Sequence, residues 1–326
     1  MKHTPKNETS VTEFIVLGLS NLHDTQLGLF VLFLIMYLIT LTGNTIIIVA
    51  IQLDPRLSTP MYFFLSNLSF LDICYTTSVV PQMLTHFLAE HKTISFTRCM
   101  TQLYVSLSLG SIEFILLAAM AYDRYVAICH PLQYTATMSR MVCVQMAVVS
   151  WGSGFFNSLV QTVLTMRLSF CGFNTINHFA CEAVALLKMA CSDTYVNEVV
   201  LVIASFLILI VPAFFIILSY GRIITSILRI RSLEGRYKAF STCASHLTVV
   251  TLCYGTAIFA YMRPRASVSP SQDKMFSLFY ALVTPMLNPI IYSLRNQEVK
   301  GALSKRSIES KKIHNVEEKG QSEGNM

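Results

Sequence analysis

Seven long apolar segments constrain this chain more than any other feature of its sequence. Each has about 20 or more mostly apolar residues, enough at about 1.5 Å of rise per residue to cross the roughly 30 Å core of a bilayer. Charged residues make up only 13% of the 326 residues, too few for a water-soluble fold. We number the segments as spans one to seven, at 27–51, 61–86, 99–121, 141–164, 198–221, 239–262 and 273–294. We therefore predict an all-α membrane protein, a seven-transmembrane helix bundle.

The distribution of basic residues orients this bundle. Lysine and arginine accumulate on the cytoplasmic side, and most of the 24 lie in the inner segments if the N-terminus is outside and the C-terminus inside. The N-glycosylation sequence at Asn7 agrees with that orientation. The basic inner face is expected to contact membrane lipid, and no nucleic-acid partner is predicted. The predicted segments are an extracellular N-terminus (1–26), the transmembrane domain (27–294), a juxtamembrane amphipathic segment (295–305) and a disordered cytoplasmic tail (306–326).

Four cysteines fall on the outer side of the predicted bundle. Cys99 begins span three, and Cys171, Cys181 and Cys191 lie in the long loop 165–197. Disulfides are expected there because the extracellular compartment is oxidising. Four thiols allow three pairings, and the spacing alone does not choose among them.

Two carboxylates, Asp72 and Glu113, lie near mid-membrane on spans two and three. The helical rise places Asn44 of span one and Asn288 of span seven in the same layer. Intramembrane charge is costly and suggests a function, and two neighbouring carboxylates cannot both stay ionised without a cation. The layer is predicted to share a proton or to bind a sodium ion; the alternative is a hydrogen-bonded network that joins helices. No other cofactor or metal is predicted.

Asp123 and Arg124 lie where span three reaches the cytoplasm. Arg124 stays protonated, so it should pair with Asp123, with polar groups of span six or with a docking partner. A charge that exchanges partners is a two-state element; the alternative is an interfacial anchor. His246 of span six lies at a similar depth, with Tyr220 and Tyr292 nearby, and is either a satisfied core residue or part of this switch.

The outer half of span three predicts a cavity, because small residues recur at one depth on three spans. The alternative is close packing of helices through small residues. The corresponding stretches of spans three, five and six contain no charge, so we expect a small uncharged ligand. The predicted lining is Ser106, Leu107, Gly110, Ser111 and Phe114 of span three, Ala204, Ser205 and Ile208 of span five, and Ala257, Ile258 and Tyr261 of span six.

Several motifs between residues 10 and 305 resemble those of rhodopsin-like G-protein-coupled receptors, and within them the olfactory receptors. They are Gly43-Asn44, PMYFFLSNLSFLDICYTT (60–77), MAYDRYVAICHPLQY (120–134), SY (219–220), KAFSTCASHLTVV (238–250) and PMLNPIIYSLRN (285–296). The resemblance implies a multi-pass receptor of the plasma membrane, in the cilia of olfactory sensory neurons. It also implies an odorant pocket between spans three, five, six and seven, and coupling to a stimulatory G protein that raises cyclic AMP.

The resemblance also implies roles for individual residues. Asp123-Arg124-Tyr125 looks like the ionic switch of the family, and Asn288-Pro289 with Tyr292 looks like its hinge in span seven. Cys99 with Cys181 looks like its anchoring disulfide and Cys171 with Cys191 like a second bridge. A Cys99–Cys191 pairing is the less favoured alternative.

Two other classes of function lack the patterns they would need. The sequence has no catalytic Ser/His/Asp set, zinc-ligand spacing or glycine-rich phosphate loop at one membrane depth, so we do not predict an enzyme. A transporter would show internal repeats or rows of charge along a span, and neither is present. A receptor for a small molecule other than an odorant is the remaining alternative.

Overall fold

A computed structural model describes residues 11–19, 23–171, 174–261 and 270–295 of the chain. The predicted glycosylation site Asn7 lies outside the described residues. So do the tail 306–326 and all but the first residue of the predicted juxtamembrane segment 295–305.

The predicted seven-helix bundle is confirmed. Spans one to four are the helices His23–Leu53, Pro60–Leu88, Phe96–Cys129 and Arg140–Met166, and span six is Leu233–Tyr261. Spans five and seven each contain a π-helical segment. Span five consists of Tyr195–Ser205, the π segment Phe206–Ile210 and Val211–Leu228. Span seven consists of Pro270–Leu278, the π segment Phe279–Val283 and Thr284–Arg295.

Local sequence explains where several of these helices begin. Pro60 occupies the first turn of span two, where its missing N–H leaves no hydrogen bond unmade. The Ser95 and Ser139 side chains accept hydrogen bonds from Arg98 N and Val142 N at the starts of spans three and four, which satisfies backbone donors that have no partner within the helix.

Span four differs from the other spans in the apolar character of its helix. In the described chain, the other six spans contain helices that are long and apolar enough to cross a membrane. Span four has sufficient length, 27 residues, but its buried face carries serine, threonine and glutamine. Gly154 on that face allows close packing on span three, since an added Cβ would lie 2.4 Å from Ile112 Cγ1 and 2.8 Å from the Ser108 carbonyl oxygen.

A small β-sheet, which the sequence did not predict, covers the outer end of the bundle. The strands are β1 (Glu13–Val16), β2 (Thr93–Ser95) and β3 (Thr175–Ile176). Strand β1 lies between the other two, antiparallel to β2 and parallel to β3. Alternate residues of β1, Phe14 and Val16, are buried. The sheet therefore joins the N-terminal segment to the loop 165–197 above the helices.

Two disulfides fix that loop. Cys99 is bonded to Cys181, and Cys171 to Cys191, which is the pairing that the resemblance implied. The first bond ties the loop to the outer end of span three, and the second closes the loop on itself. The alternative Cys99–Cys191 pairing is excluded.

Candidate ligand cavity and cytoplasmic switch

A cavity lies in the outer half of the bundle beneath the loop 165–197. Spans two, three, four, five and seven form its walls, and the loop residues 179–183 form its roof. Both π segments border it, through Ile208 and Leu209 of span five and Tyr280 and Ala281 of span seven. π-Helical turns occur often at functional sites because they change the direction of side chains within a helix.

Spans three and five contribute to the cavity as the sequence predicts. All of the residues named for these two spans line it: Ser106, Leu107, Gly110, Ser111, Phe114, Ala204, Ser205 and Ile208.

The described side chains of span six do not line the cavity as predicted. Ala257 is buried but does not line the cavity, and Ile258 lies about 100° further round the helix with 37% of its surface exposed. The side chain of Tyr261 lies outside the described residues. Tyr254 of span six contacts the cavity residue Phe114: its hydroxyl donates to the Phe114 carbonyl oxygen at 2.7 Å, and its ring packs edge-on against the Phe114 ring. The prediction that Ala257 and Ile258 line the cavity is thereby corrected.

Sequence reasoning missed two amides and one carboxylate of the lining. Asn157 and Gln161 of span four line the cavity, and so does Glu182 from the loop. The spacing of Asn157 and Gln161, four residues apart on one helix face, was a usable indication, since polar side chains inside a membrane rarely face lipid. Glu182 follows the disulfide-bonded Cys181, which brings it to the outer end of span three.

Most polar side chains of the lining are already hydrogen-bonded. The hydroxyls of Ser106 and Ser111 donate to the carbonyl oxygens of Gln102 and Leu107, both at 2.7 Å. Asn157 Nδ2 donates to Ser111 Oγ at 3.0 Å. These two serines therefore have no proton left to donate to a ligand.

Glu182 is the only charged residue among the described residues that line the cavity. Its Oε2 accepts a hydrogen bond from Ser277 Oγ of span seven at 3.1 Å and lies 3.6 Å from His178 Nε2. As expected, the described helices contribute no charged residue to the cavity wall. The roof contributes one carboxylate, which already accepts a hydrogen bond from Ser277.

The layer of buried carboxylates lies directly beneath the cavity. Tyr280 connects the two regions, because it lines the cavity and donates its hydroxyl proton to Glu113 Oε2 at 2.7 Å. Glu113 Oε1 accepts from Cys253 Sγ at 3.1 Å, and Asp72 Oδ2 accepts from Asn288 Nδ2 at 2.9 Å. Asn44 Nδ2 donates to the Pro285 carbonyl oxygen. The four predicted residues thus link spans one, two, three, six and seven.

Three oxygen atoms of this layer have no hydrogen-bond donor among the described residues: Asn44 Oδ1, Asp72 Oδ1 and Asn288 Oδ1. Such oxygens suit a hard cation or, at Asp72, an added proton. The described chain brings no three His, Cys, Asp or Glu side chains close enough to hold a metal ion. A cation here would therefore need the amide oxygens in addition to the carboxylates.

At the cytoplasmic end of span three, Asp123 and Arg124 do not pair with each other. Asp123 Oδ1 accepts a hydrogen bond from Tyr134 of the short helix Tyr134–Thr137 at 2.8 Å. Burial and the neighbouring Asp123 carboxylate raise the pKa of Tyr134, so it remains a donor at neutral pH. Arg124 Nη2 instead contacts Met61 Sδ. Within the part of the chain that the structure describes, no carboxylate lies within 4.0 Å of the Arg124 guanidinium.

Span six contacts span three through a histidine. His246 is fully buried, with Nδ1 2.7 Å from Tyr220 OH and Nε2 3.1 Å from the Leu117 carbonyl oxygen. These contacts fit a neutral ring that accepts a hydrogen bond from the Tyr220 hydroxyl and donates one to the Leu117 carbonyl oxygen, so His246 joins spans three, five and six.

The other residues that the resemblance assigned to the switch and the hinge lie on spans three and seven. Tyr292 is buried, and its hydroxyl has no hydrogen-bond partner among the described residues. Pro289 contacts span one near Gly43, and Tyr125 OH lies 3.1 Å from His130 Nε2.

Comparison with known proteins gives a consistent result along most of the chain. A family model described as olfactory receptor matches residues 33–310. The sequence is 58% identical to olfactory receptor 2F1 of Homo sapiens over 299 residues, which cover 92% of this chain and 94% of that protein. It is 56% identical to the olfactory receptor-like protein OLF3 of Canis lupus familiaris, with the same coverage of both chains. It is 52% identical to human olfactory receptor 13D1 over 309 residues, 95% of this chain and 89% of that protein.

Proposed function

The chain belongs to the olfactory receptor family, and on that premise we propose that it binds a small, neutral, mainly apolar odorant in the outer cavity. We further propose that the bound receptor activates a stimulatory G protein and so raises cyclic AMP. The chain is a multi-pass G-protein-coupled receptor of the plasma membrane, and the family is not enzymatic. The specific ligand class and the type of G protein are the proposed part.

The composition of the cavity lining is the observation that carries the ligand proposal. Its walls are mainly aliphatic and aromatic, with Leu107, Phe114 and Ile208 among them, and the one carboxylate, Glu182, is engaged at the roof. A charged ligand would lose its hydration there without gaining an opposite charge deeper in the cavity, which costs several kcal/mol. A neutral molecule with one alcohol, carbonyl, ester or ether group avoids that cost. Because each such hydrogen bond contributes only about 1 kcal/mol net, we expect micromolar rather than nanomolar affinity.

The cytoplasmic end supports the coupling proposal. Arg124 is a permanent cation with 9% of its surface exposed and no carboxylate partner among the described residues. A cation in that position is available to polar groups of a docking protein when the helices separate. The stimulatory subtype and the cyclic AMP output rest on the resemblance to olfactory receptors.

A ligand panel tests both proposals. The panel matches neutral odorants, primary amines and carboxylates for carbon number, and cyclic AMP is measured in cells with and without the stimulatory α subunit. Neutral odorants should be the strong agonists, and their response should require that subunit. Strong agonism confined to the primary amines would contradict the ligand proposal, and a full response without the stimulatory subunit would contradict the coupling proposal.

We also propose that the layer of Asp72 and Glu113 holds a sodium ion or a shared proton that modulates the receptor. The oxygen atoms of Asn44, Asp72 and Asn288 that lack donors support an added positive charge there. The position between the cavity and the cytoplasmic end supports a modulating role, since Tyr280 contacts both the cavity and Glu113.

A further inference from the structure

Gln161 of span four is an almost completely buried residue whose side-chain amide has no hydrogen-bond partner among the described residues. It is 5% exposed and lines the cavity. Its Oε1 and Nε2 make no hydrogen bond with the described residues, and its backbone carbonyl oxygen accepts from Thr165 Oγ1 at 2.8 Å. Buried amides are nearly always hydrogen-bonded in native proteins. An amide that faces a cavity without a partner therefore suggests that a ligand completes its hydrogen bonds.

Most of the neighbouring polar side chains of the lining already use a donor or an acceptor. The Ser106 and Ser111 hydroxyls donate hydrogen bonds to carbonyl oxygens of their own helix. Asn157, one turn deeper on span four, donates to Ser111, and the Tyr280 hydroxyl donates to Glu113. Glu182 at the roof accepts from Ser277. Gln161 is thus left with both a donor and an acceptor available to a bound molecule.

We propose that Gln161 is the polar anchor of the odorant and that it selects molecules with a hydroxyl or carbonyl oxygen. The proposal rests on the proposed function, because it assumes that the cavity binds a neutral odorant. An amide offers two N–H donors and one carbonyl acceptor. An alcohol can therefore accept from Nε2 and donate to Oε1, a ketone or aldehyde can only accept from Nε2, and a hydrocarbon can do neither. The apolar part of the molecule lies against Leu107 and Phe114 of span three and Ala281 of span seven.

This anchor gives the cavity a defined polar side. Gln161 lies on span four, and Ser205 lies on the adjacent span five, where the described residues show no hydrogen bond from its hydroxyl. The polar end of the ligand therefore points toward spans four and five, and its apolar end points toward spans three and seven. Alcohols should be preferred to ketones and ketones to hydrocarbons of the same carbon skeleton.

The test replaces the amide with a side chain of similar length. Gln161→Met removes the donor and the acceptor but keeps an unbranched chain of similar volume. Gln145→Met is the matched control, since Gln145 lies on the same span and is exposed. Cyclic AMP responses are measured for an alcohol, a ketone and a hydrocarbon that share one carbon skeleton, alongside cell-surface staining. Gln161→Met should raise the EC50 of the alcohol about 3- to 10-fold and leave that of the hydrocarbon unchanged or lower, whereas Gln145→Met should match wild type.

Different outcomes separate this proposal from the proposed function. If wild type responds to no neutral odorant, the proposed function fails. If wild type responds and Gln161→Met keeps the wild-type ratio between alcohol and hydrocarbon, the anchor is wrong although the function stands. If the Gln161→Met variant does not reach the cell surface, Gln161→Asn is used in its place. This substitution keeps the amide but shortens the side chain by one methylene. A smaller loss in the same direction is then expected, and wild-type discrimination would overturn the proposal.

Discussion

Polar residues inside this bundle differ in whether their hydrogen-bonding capacity is already used. Thr40, Thr76 and Ser111 each donate to the carbonyl oxygen four residues earlier in their own helix, a bond that any helix can provide. Among the described residues, the Gln161 amide makes no hydrogen bond, and Oδ1 of Asn44, Asp72 and Asn288 has no donor. Residue type and membrane depth therefore do not identify a site by themselves. The donors and acceptors that remain unused identify it.

A substitution at Gly110 tests whether the cavity is the odorant site. A Cβ at this position would lie 3.2 Å from the Tyr280 hydroxyl, so Gly110→Leu should fill the cavity and abolish the odorant response. Overfilling a packed space costs about 1–3 kcal/mol, which the bundle should tolerate at normal surface expression. Dose–response curves and surface staining measure the two effects. Gly152→Leu is the control, because a Cβ there meets nothing within 4 Å. A wild-type response from Gly110→Leu would refute the cavity assignment.

Substitutions at Asp72 and Glu113 test whether the buried layer modulates the receptor. Asp72→Asn or Glu113→Gln removes one carboxylate while keeping its shape, so basal activity should change and any sodium dependence should disappear. Nucleotide exchange on the G protein, measured in membranes with sodium or choline chloride, provides both values. Glu90→Gln, an exposed carboxylate in the turn after span two, should behave as wild type. Identical basal activity and sodium response in all receptors would leave the layer with a structural role alone.

The positions of the helices could be predicted from the sequence. Which face of each helix points into the bundle could be predicted less well. Apolar length predicts a span well because the bilayer requires about 20 residues. Lipid is as apolar as a protein core, however, so hydrophobic periodicity does not show which side of a span faces inward. Span six illustrates the difficulty, since the adjacent apolar residues Ala257 and Ile258 are buried and exposed, respectively. The small sheet was missed because β1 has only four residues and its pairing depends on distant segments.

The disulfides make a prediction at the scale of the loop that covers the cavity. The residues joined are 82 apart in Cys99–Cys181 and 20 apart in Cys171–Cys191. In the chain-entropy model these closures contribute about 4.5 and 3.3 kcal/mol, and the first also holds the roof on span three. Replacing Cys99 and Cys181 together by serine should abolish surface expression, and replacing Cys171 and Cys191 should lower it less. Flow cytometry measures both, with Cys74→Ser as the free-thiol control. Active receptor with Cys99 as a free thiol in peptide mapping would contradict the prediction.

At the scale of the whole molecule, the cavity and the cytoplasmic switch occupy opposite ends of span three. Gly110 and Arg124 lie about 21 Å apart along the helix axis, with the layer of Asp72 and Glu113 between the two ends. His246 and Tyr254 of span six contact the Leu117 and Phe114 carbonyl oxygens of span three. Span six is therefore positioned to transmit a change at the cavity to the cytoplasmic end, because its movement would break hydrogen bonds at both depths.

This separation predicts that binding and output can be uncoupled. Arg124→Ala should leave odorant binding largely unchanged, because the substitution lies far from the cavity, but should abolish nucleotide exchange on the G protein, because it removes the unpaired cation at the docking face. Binding is followed by the agonist-dependent increase in thermal stability of purified receptor, and output by cyclic AMP in cells sorted for equal surface expression. Arg140→Ala, an exposed arginine at the start of span four, controls for loss of positive charge on that face and should retain most of the signal. Full output from Arg124→Ala at normal surface expression would show that Arg124 only anchors span three at the membrane interface.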